Sequence, residues 1–126
     1  TSLGKNGNGQ IGKQINEMMQ ALSELAIYEG LLLAKKSGLD LKMFARAASG
    51  GCAQSWRLVE LVDNVFNKGD RSYRLGMRPG RTGKALKMAE KHGLNLAGAK
   101  AADQTFSRHG WQLEIDFERD DIPEPA

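Results

Sequence analysis

A single cysteine, Cys52, in 126 residues excludes an intrachain disulfide framework and leads us to expect a cytoplasmic protein. No histidine stands near Cys52 in sequence, so neither a thiol nucleophile pair nor a metal cluster is expected there, and packing accounts for it more simply. The two histidines, His92 and His109, lie far apart, each near an expected helix end where the helix carbonyls account for it. Long apolar runs are missing as well. Leu31-Leu32-Leu33 is flanked by Glu29 and by Lys35-Lys36, and "TSLGKNGNGQ" lacks the apolar centre of a secretory leader, so no membrane partner is expected. Net charge is small, +3 from 18 basic and 15 acidic side chains, too little to single out nucleic acid.

What the chain does have is helical periodicity. Ile11, Ile15, Met18 or Met19, Leu22 and Leu25 recur at helix spacing from about Gly9 to Lys36, with Asn6 or Asn8 available as a cap. Such a helix is about 42 Å long, against a radius of gyration near 14 Å for a chain this size, so it must kink or expose apolar surface. Ser37-Gly38 stops it, and Asp40 caps a second helix to about Ala48. Ser49-Gly50-Gly51 breaks the pattern before a third helix from Ala53 or Gln54 to Phe66, with Trp56 on its inward face. Thr82 caps a fourth from Gly83 to His92, and Leu94–Arg108 forms a fifth. Ser72–Met77 can extend, but no second strand offers itself as a partner, and "DFERDDIPEPA" reads as a surface tail whose first part is docked by Trp111, Leu113, Ile115 and Phe117. The expected fold is an all-α bundle with a long first helix, in one domain over residues 1–126. The shortage of strands argues against a complete dinucleotide-binding fold.

Charge is uneven along the chain. Lys68, Arg71, Arg74, Arg78, Arg81, Lys84 and Lys87 crowd the middle, as either an anion-binding region or a solvated helix face. "GKNGNGQIGKQIN" comes close to a phosphate-binding loop through Gly7 and Gly12-Lys13, but Gln14 stands where the magnesium-holding hydroxyl belongs. Lys13 and Asn16 are one helical turn apart and can reach one ligand; the alternative is a solvated lysine and a local amide bond. Ser49-Gly50-Gly51 either admits a ligand close to backbone amides or simply joins two helices.

"GKNGNGQIGKQIN", followed by "ALSELAIYEGLLLAKKSGLD" and "ASGG", resembles the helical C-terminal domain of the beta-hydroxyacid dehydrogenase family, which includes 3-hydroxyisobutyrate dehydrogenases and tartronate-semialdehyde reductases. The resemblance spans Gly4 to Phe106 and implies a bundle like the 6-phosphogluconate dehydrogenase C-terminal domain. It also implies a preceding dinucleotide-binding domain, NAD or NADP as cofactor, a small beta-hydroxyacid substrate, and an isolated domain without activity. Lys13 takes the position of the catalytic lysine, and Asn16, with Ser49, Gly50 and Gly51, falls on the substrate side. Tyr73 takes an aromatic position near the cofactor, and because Gly80-Arg81 stands where the family commonly has lysine and aspartate, Arg81, or else Arg78 or Lys84, is either a displaced anion contact on the cofactor side or part of an exposed helix start. Glu17 replaces a common amide. Those departures keep a second reading open, a non-catalytic helical oligomerisation or binding module. Under either reading Leu22, Leu25, Leu31 and Leu32 are offered to a second copy of the chain, in a homo-oligomer.

Overall fold

The computed structural model describes residues 7–76 and 80–122. Helix α1, Asn8–Lys36, runs unbroken through Gly30 for 29 residues. Of the two outcomes expected for so long a helix, exposure is the one found: Ile11, Ile15 and Met19 form an exposed apolar row at i, i+4 and i+8. Asn8 lies inside the helix and does not cap it; Gly7 occupies the cap position at φ 92°, a left-handed conformation that glycine adopts without strain. Asn6 lies outside the described residues. Along the inward face Ala21, Leu25, Tyr28 and Leu31 are buried, and Glu24 is buried with them. Leu25 and Leu31 therefore belong to the chain's own core, and Leu22 and Leu32 pack half-buried against it. For Leu25 and Leu31 the expectation of facing a second copy is corrected, since burial in the monomer already removes them from water.

Helix α2, Leu41–Ser49, starts where Asp40 Oδ1 accepts the Met43 amide at 2.9 Å, and buries Leu41 and Ala45. Helix α3, Trp56–Phe66, begins later than the periodicity suggests because Ser55 caps it, its hydroxyl oxygen accepting from the Leu58 amide at 3.2 Å. Leu58, Leu61 and Val65 turn inward, whereas Trp56 is 72% exposed, which overturns its expected packing role. Helix α4, Gly83–Lys91, follows Thr82, which makes no cap bond and instead donates its buried hydroxyl to the Asp103 carboxylate. Helix α5, Ala97–Arg108, lies so close to α1 that a Cβ on Gly98 would meet Leu22 Cδ2 at 3.1 Å.

The chain is a multi-helix bundle with one addition. Strand β1, Ser72–Gly76, pairs antiparallel with β2, Gln112–Asp116, from Ser72 opposite Asp116 to Gly76 opposite Gln112. The missing partner of the expected strand is thus the segment after α5, paired over Ser72–Gly76; Met77 lies outside the described residues. Tyr73, Leu75, Leu113 and Ile115 alternate onto the buried face. What reads as a surface tail is docked as far as Ile122: Phe117 and Ile122 are buried, and Asp120 holds both Lys35 Nζ at 2.7 Å and the Leu41 amide at 3.0 Å. Among the described residues no helix is long and apolar enough to cross a membrane.

Candidate functional site

Lys13, Asn16, Gln20 and Glu24 follow one another along α1 at spacings of a turn, the first three exposed and the last buried. The stripe thus leads from solvent into the bundle. Asn16 and Gln20 meet Ser23, Ser55, Trp56 and Arg57 around a cleft of about 200 Å³ between α1 and the start of α3. Lys13 stands one turn beyond Asn16, toward the N-terminus of the helix.

Beneath the cleft is a charged junction. Glu24 is 0% exposed and receives two guanidinium groups, Arg57 Nε at 2.8 Å and Arg81 Nη1 at 3.2 Å. Arg57 Nη1 also donates to Glu60 Oε1 at 2.9 Å, and the Tyr73 hydroxyl donates to that same oxygen at 2.6 Å. Arg81 reaches the Gly76 carbonyl at 3.4 Å and the Gln20 side-chain oxygen. The junction ties α1, α3, β1 and the entry to α4 together. Burial pushes the Glu24 carboxyl above its ordinary range, with Arg57 and Arg81 pulling the other way. Tyr73 is pushed up to about 12, first by burial and then by its bond to the Glu60 carboxylate.

Of the residues the sequence points to, Lys13 and Asn16 share the outer face of α1, and Tyr73 and Arg81 meet in the junction below. Arg81 is only 8% exposed and its charge is met by Glu24. Ser49, Gly50 and Gly51 are not among the residues lining the Asn16 cleft. Their amides close the end of α2: Gly50 N donates to Ala47 O and Gly51 N to Ala48 O, while Ser49 Oγ donates to Arg46 O at 2.8 Å. The loop instead leads, through Ala53, Gln54 and Ser55, along a neighbouring apolar pocket of about 230 Å³ that shares Ser23 and Ser55 with the cleft.

Sequence reasoning missed Gln20, Glu24, Arg57 and Glu60. One signal was there: Glu24 interrupts the apolar row of Ala21, Leu25, Tyr28 and Leu31, and an acid on an inward stripe calls for a cation opposite.

A long polar-to-buried stripe on a first helix, with a cleft at its side, defines a helical-bundle domain with a candidate site on α1, and comparison with known proteins gives the family. The family described as NAD-binding of NADP-dependent 3-hydroxyisobutyrate dehydrogenase matches residues 7–120, and the chain belongs to it. It is 33% identical over 105 residues to a probable 3-hydroxyisobutyrate dehydrogenase-like 1, mitochondrial, of Arabidopsis thaliana, covering 82% of this chain and 31% of that protein. It is 31% identical over 112 residues to 2-hydroxy-3-oxopropionate reductase of Escherichia coli strain K12, covering 85% and 37%. An uncharacterized oxidoreductase of Shewanella frigidimarina is 31% identical over 106 residues, covering 83% and 36%. The chain spans about a third of the length of these relatives.

Proposed function

We propose that this chain is the C-terminal, substrate-side helical domain, similar to that of 6-phosphogluconate dehydrogenase, of an NAD(P)-dependent enzyme. That enzyme interconverts a small beta-hydroxyacid and its carbonyl form. The observation that carries the reading is the placement of Lys13 and Asn16, one turn apart on the exposed start of α1, with Asn16 lining a cleft that also holds Gln20, Ser55 and Arg57. Lys13 moves the proton between its Nζ and the reacting oxygen, and its positive form offsets negative charge developing there. Asn16 orients the substrate by hydrogen bonds from its amide.

Tyr73 and Arg81 are turned into the junction, and the amides of Gly50 and Gly51 are taken by α2 carbonyls. In this reading a dinucleotide-binding domain in the remaining length of the protein holds NAD or NADP, whose nicotinamide carries the hydride. Tyr73 and Arg81 serve the cofactor side by stiffening the floor of the cleft, and Ser49–Gly51 sets where α3 and its Ser55 cap begin. Self-association uses the exposed row of Ile11, Ile15 and Met19 in place of Leu25 and Leu31.

The test uses the full-length protein, NAD or NADP, and a set of small beta-hydroxyacids. Lys13→Ala is expected to lower kcat by about a hundredfold or more while dinucleotide binding is kept. Unchanged turnover removes Lys13 from the chemistry.

A further inference from the structure

Two residues in the wall of the Asn16 cleft, Gln20 and Ser55, already spend their side-chain oxygens as acceptors. Arg81 has only donors to offer, so Gln20 must turn its carbonyl oxygen toward that guanidinium, which leaves the amide protons of Gln20 for the cleft. Ser55 Oγ accepts from the Leu58 amide as the cap of α3, which leaves its hydroxyl proton to point elsewhere. Arg57, 25% exposed, is gripped by Glu24 through Nε and by Glu60 through Nη1, and Nη2 takes no part in those bonds. The acids of the junction do not line the cleft: Glu24 is fully buried, and the lining contains no carboxylate. A surface of donors around a guanidinium fixed from behind is complementary to an anion with several oxygens.

The geometry points to Arg57, with Gln20 and Ser55, as a specificity-determining subsite that reads a second anionic group, carboxylate or phosphate, on the far end of the substrate. The inference rests on the proposed hydroxyacid reading, in which Lys13 and Asn16 serve the reacting end. It adds that the enzyme prefers a hydroxyacid carrying two acidic groups over one carrying a single carboxylate. Glu24 and Glu60 are positioning residues in this scheme, since they hold the Arg57 fork in one orientation and so reduce the entropy lost on binding.

The experiment compares, in the full-length protein, kcat/KM for a monoacid beta-hydroxyacid with that for the same skeleton bearing a terminal carboxylate or a terminal phosphate. Wild type should favour a two-acid substrate. Because Arg57→Gln strips a partner from buried Glu24 and can unfold the chain, the deciding variant is Gln20→Glu, which retains an acceptor for Arg81 and removes the donor to the cleft. It should lower the two-acid to monoacid selectivity ratio by about 10- to 100-fold, mainly through KM, the worth of a charged hydrogen bond. Arg57→Lys should retain part of the ratio. A wild-type preference for the monoacid, or a Gln20→Glu ratio equal to that of wild type, overturns the inference. If no hydroxyacid is turned over, the hydride-transfer reading fails, and calorimetry with succinate, inorganic phosphate and acetate then decides the subsite separately. Binding of succinate or phosphate but not acetate, lost in Gln20→Glu, upholds it and assigns the group; no binding to wild type overturns it.

Discussion

Glu24 and Asp120 each hold a cation that is remote in sequence, one inside the bundle and one at its surface, and their surroundings push their acidities in opposite directions. Glu24 is fully buried between Arg57 and Arg81, and the loss of water raises its carboxyl above the ordinary range. Asp120 is 40% exposed, and the hydrogen bond from Lys35, aided by the Leu41 amide, holds its carboxyl below the ordinary value of 3.8. The same kind of pair is thus a commitment in one place and an adjustable clamp in the other. In the interior, desolvation sets the scale and each partner is indispensable to the others. At the surface, solvent shares the charge and no single bond matters much.

The sharpest way to break the contrast is Glu24→Ala. It leaves two guanidinium groups facing a cavity, and the expected loss is about 3–5 kcal/mol, read as a shift in the midpoint of a denaturant titration. Glu24→Gln keeps the shape and isolates the charge. Because the folded value is raised, the native state holds the proton more tightly than the unfolded chain does. The stability from Glu24 is therefore full below the ordinary value of 4.5 and is lost as pH rises through the folded value. The difference in stability between wild type and Glu24→Gln should fall with rising pH over that window, and a flat difference would remove burial as the dominant cause.

Tyr73→Phe probes the same junction from its edge. The ring stays packed between β1 and α3, and only the hydroxyl bonded to Glu60 is lost, for an expected cost of about 1 kcal/mol. Glu60 keeps Arg57, so no buried carboxylate is orphaned. In wild type, ultraviolet titration should find a tyrosine still protonated past the ordinary value of 10 and ionising only near 12, and the variant should lose one equivalent of that late absorbance change.

Legibility in the sequence followed the range of the interaction. Asp40 capping α2 is a bond across three residues, and the composition of that turn announces it. The helical bundle follows from periodicity in the same way, but periodicity did not tell whether Leu25 and Leu31 face the chain's own core or a second copy. Strand β1 was visible only as half of a pair, because its register is set by residues beyond α5 that carry no strand signal stronger than the alternation of Leu113 and Ile115. The junction was the least legible part. Arg57 meets Glu24 across 33 residues and Arg81 meets it across 57, and neither arginine differs in its local sequence from the solvated basic residues around it. Lys13 and Asn16 could be named from their spacing and from the family resemblance, yet the cleft they approach is built by the cap and first turn of another helix.

The smallest effect is expected at Asp120, and its sign carries the comparison. Asp120→Asn keeps a side-chain oxygen able to accept from the Leu41 amide while discarding the attraction to Lys35, so the loss at neutral pH should be about 1 kcal/mol or less. Here the folded value lies below the unfolded one. The contribution is therefore complete above 3.8 and disappears as pH falls through the depressed folded value, the reverse of Glu24. Salt should act differently at the two sites as well, since a surface pair is screened while the buried one is shielded from ions. Denaturant midpoints for wild type and Asp120→Asn, measured across that acidic window at low and high salt, should converge both on acidification and on addition of salt. A gap that persists under both conditions would show that the charge attraction to Lys35 is not what Asp120 contributes, and would break the contrast with Glu24.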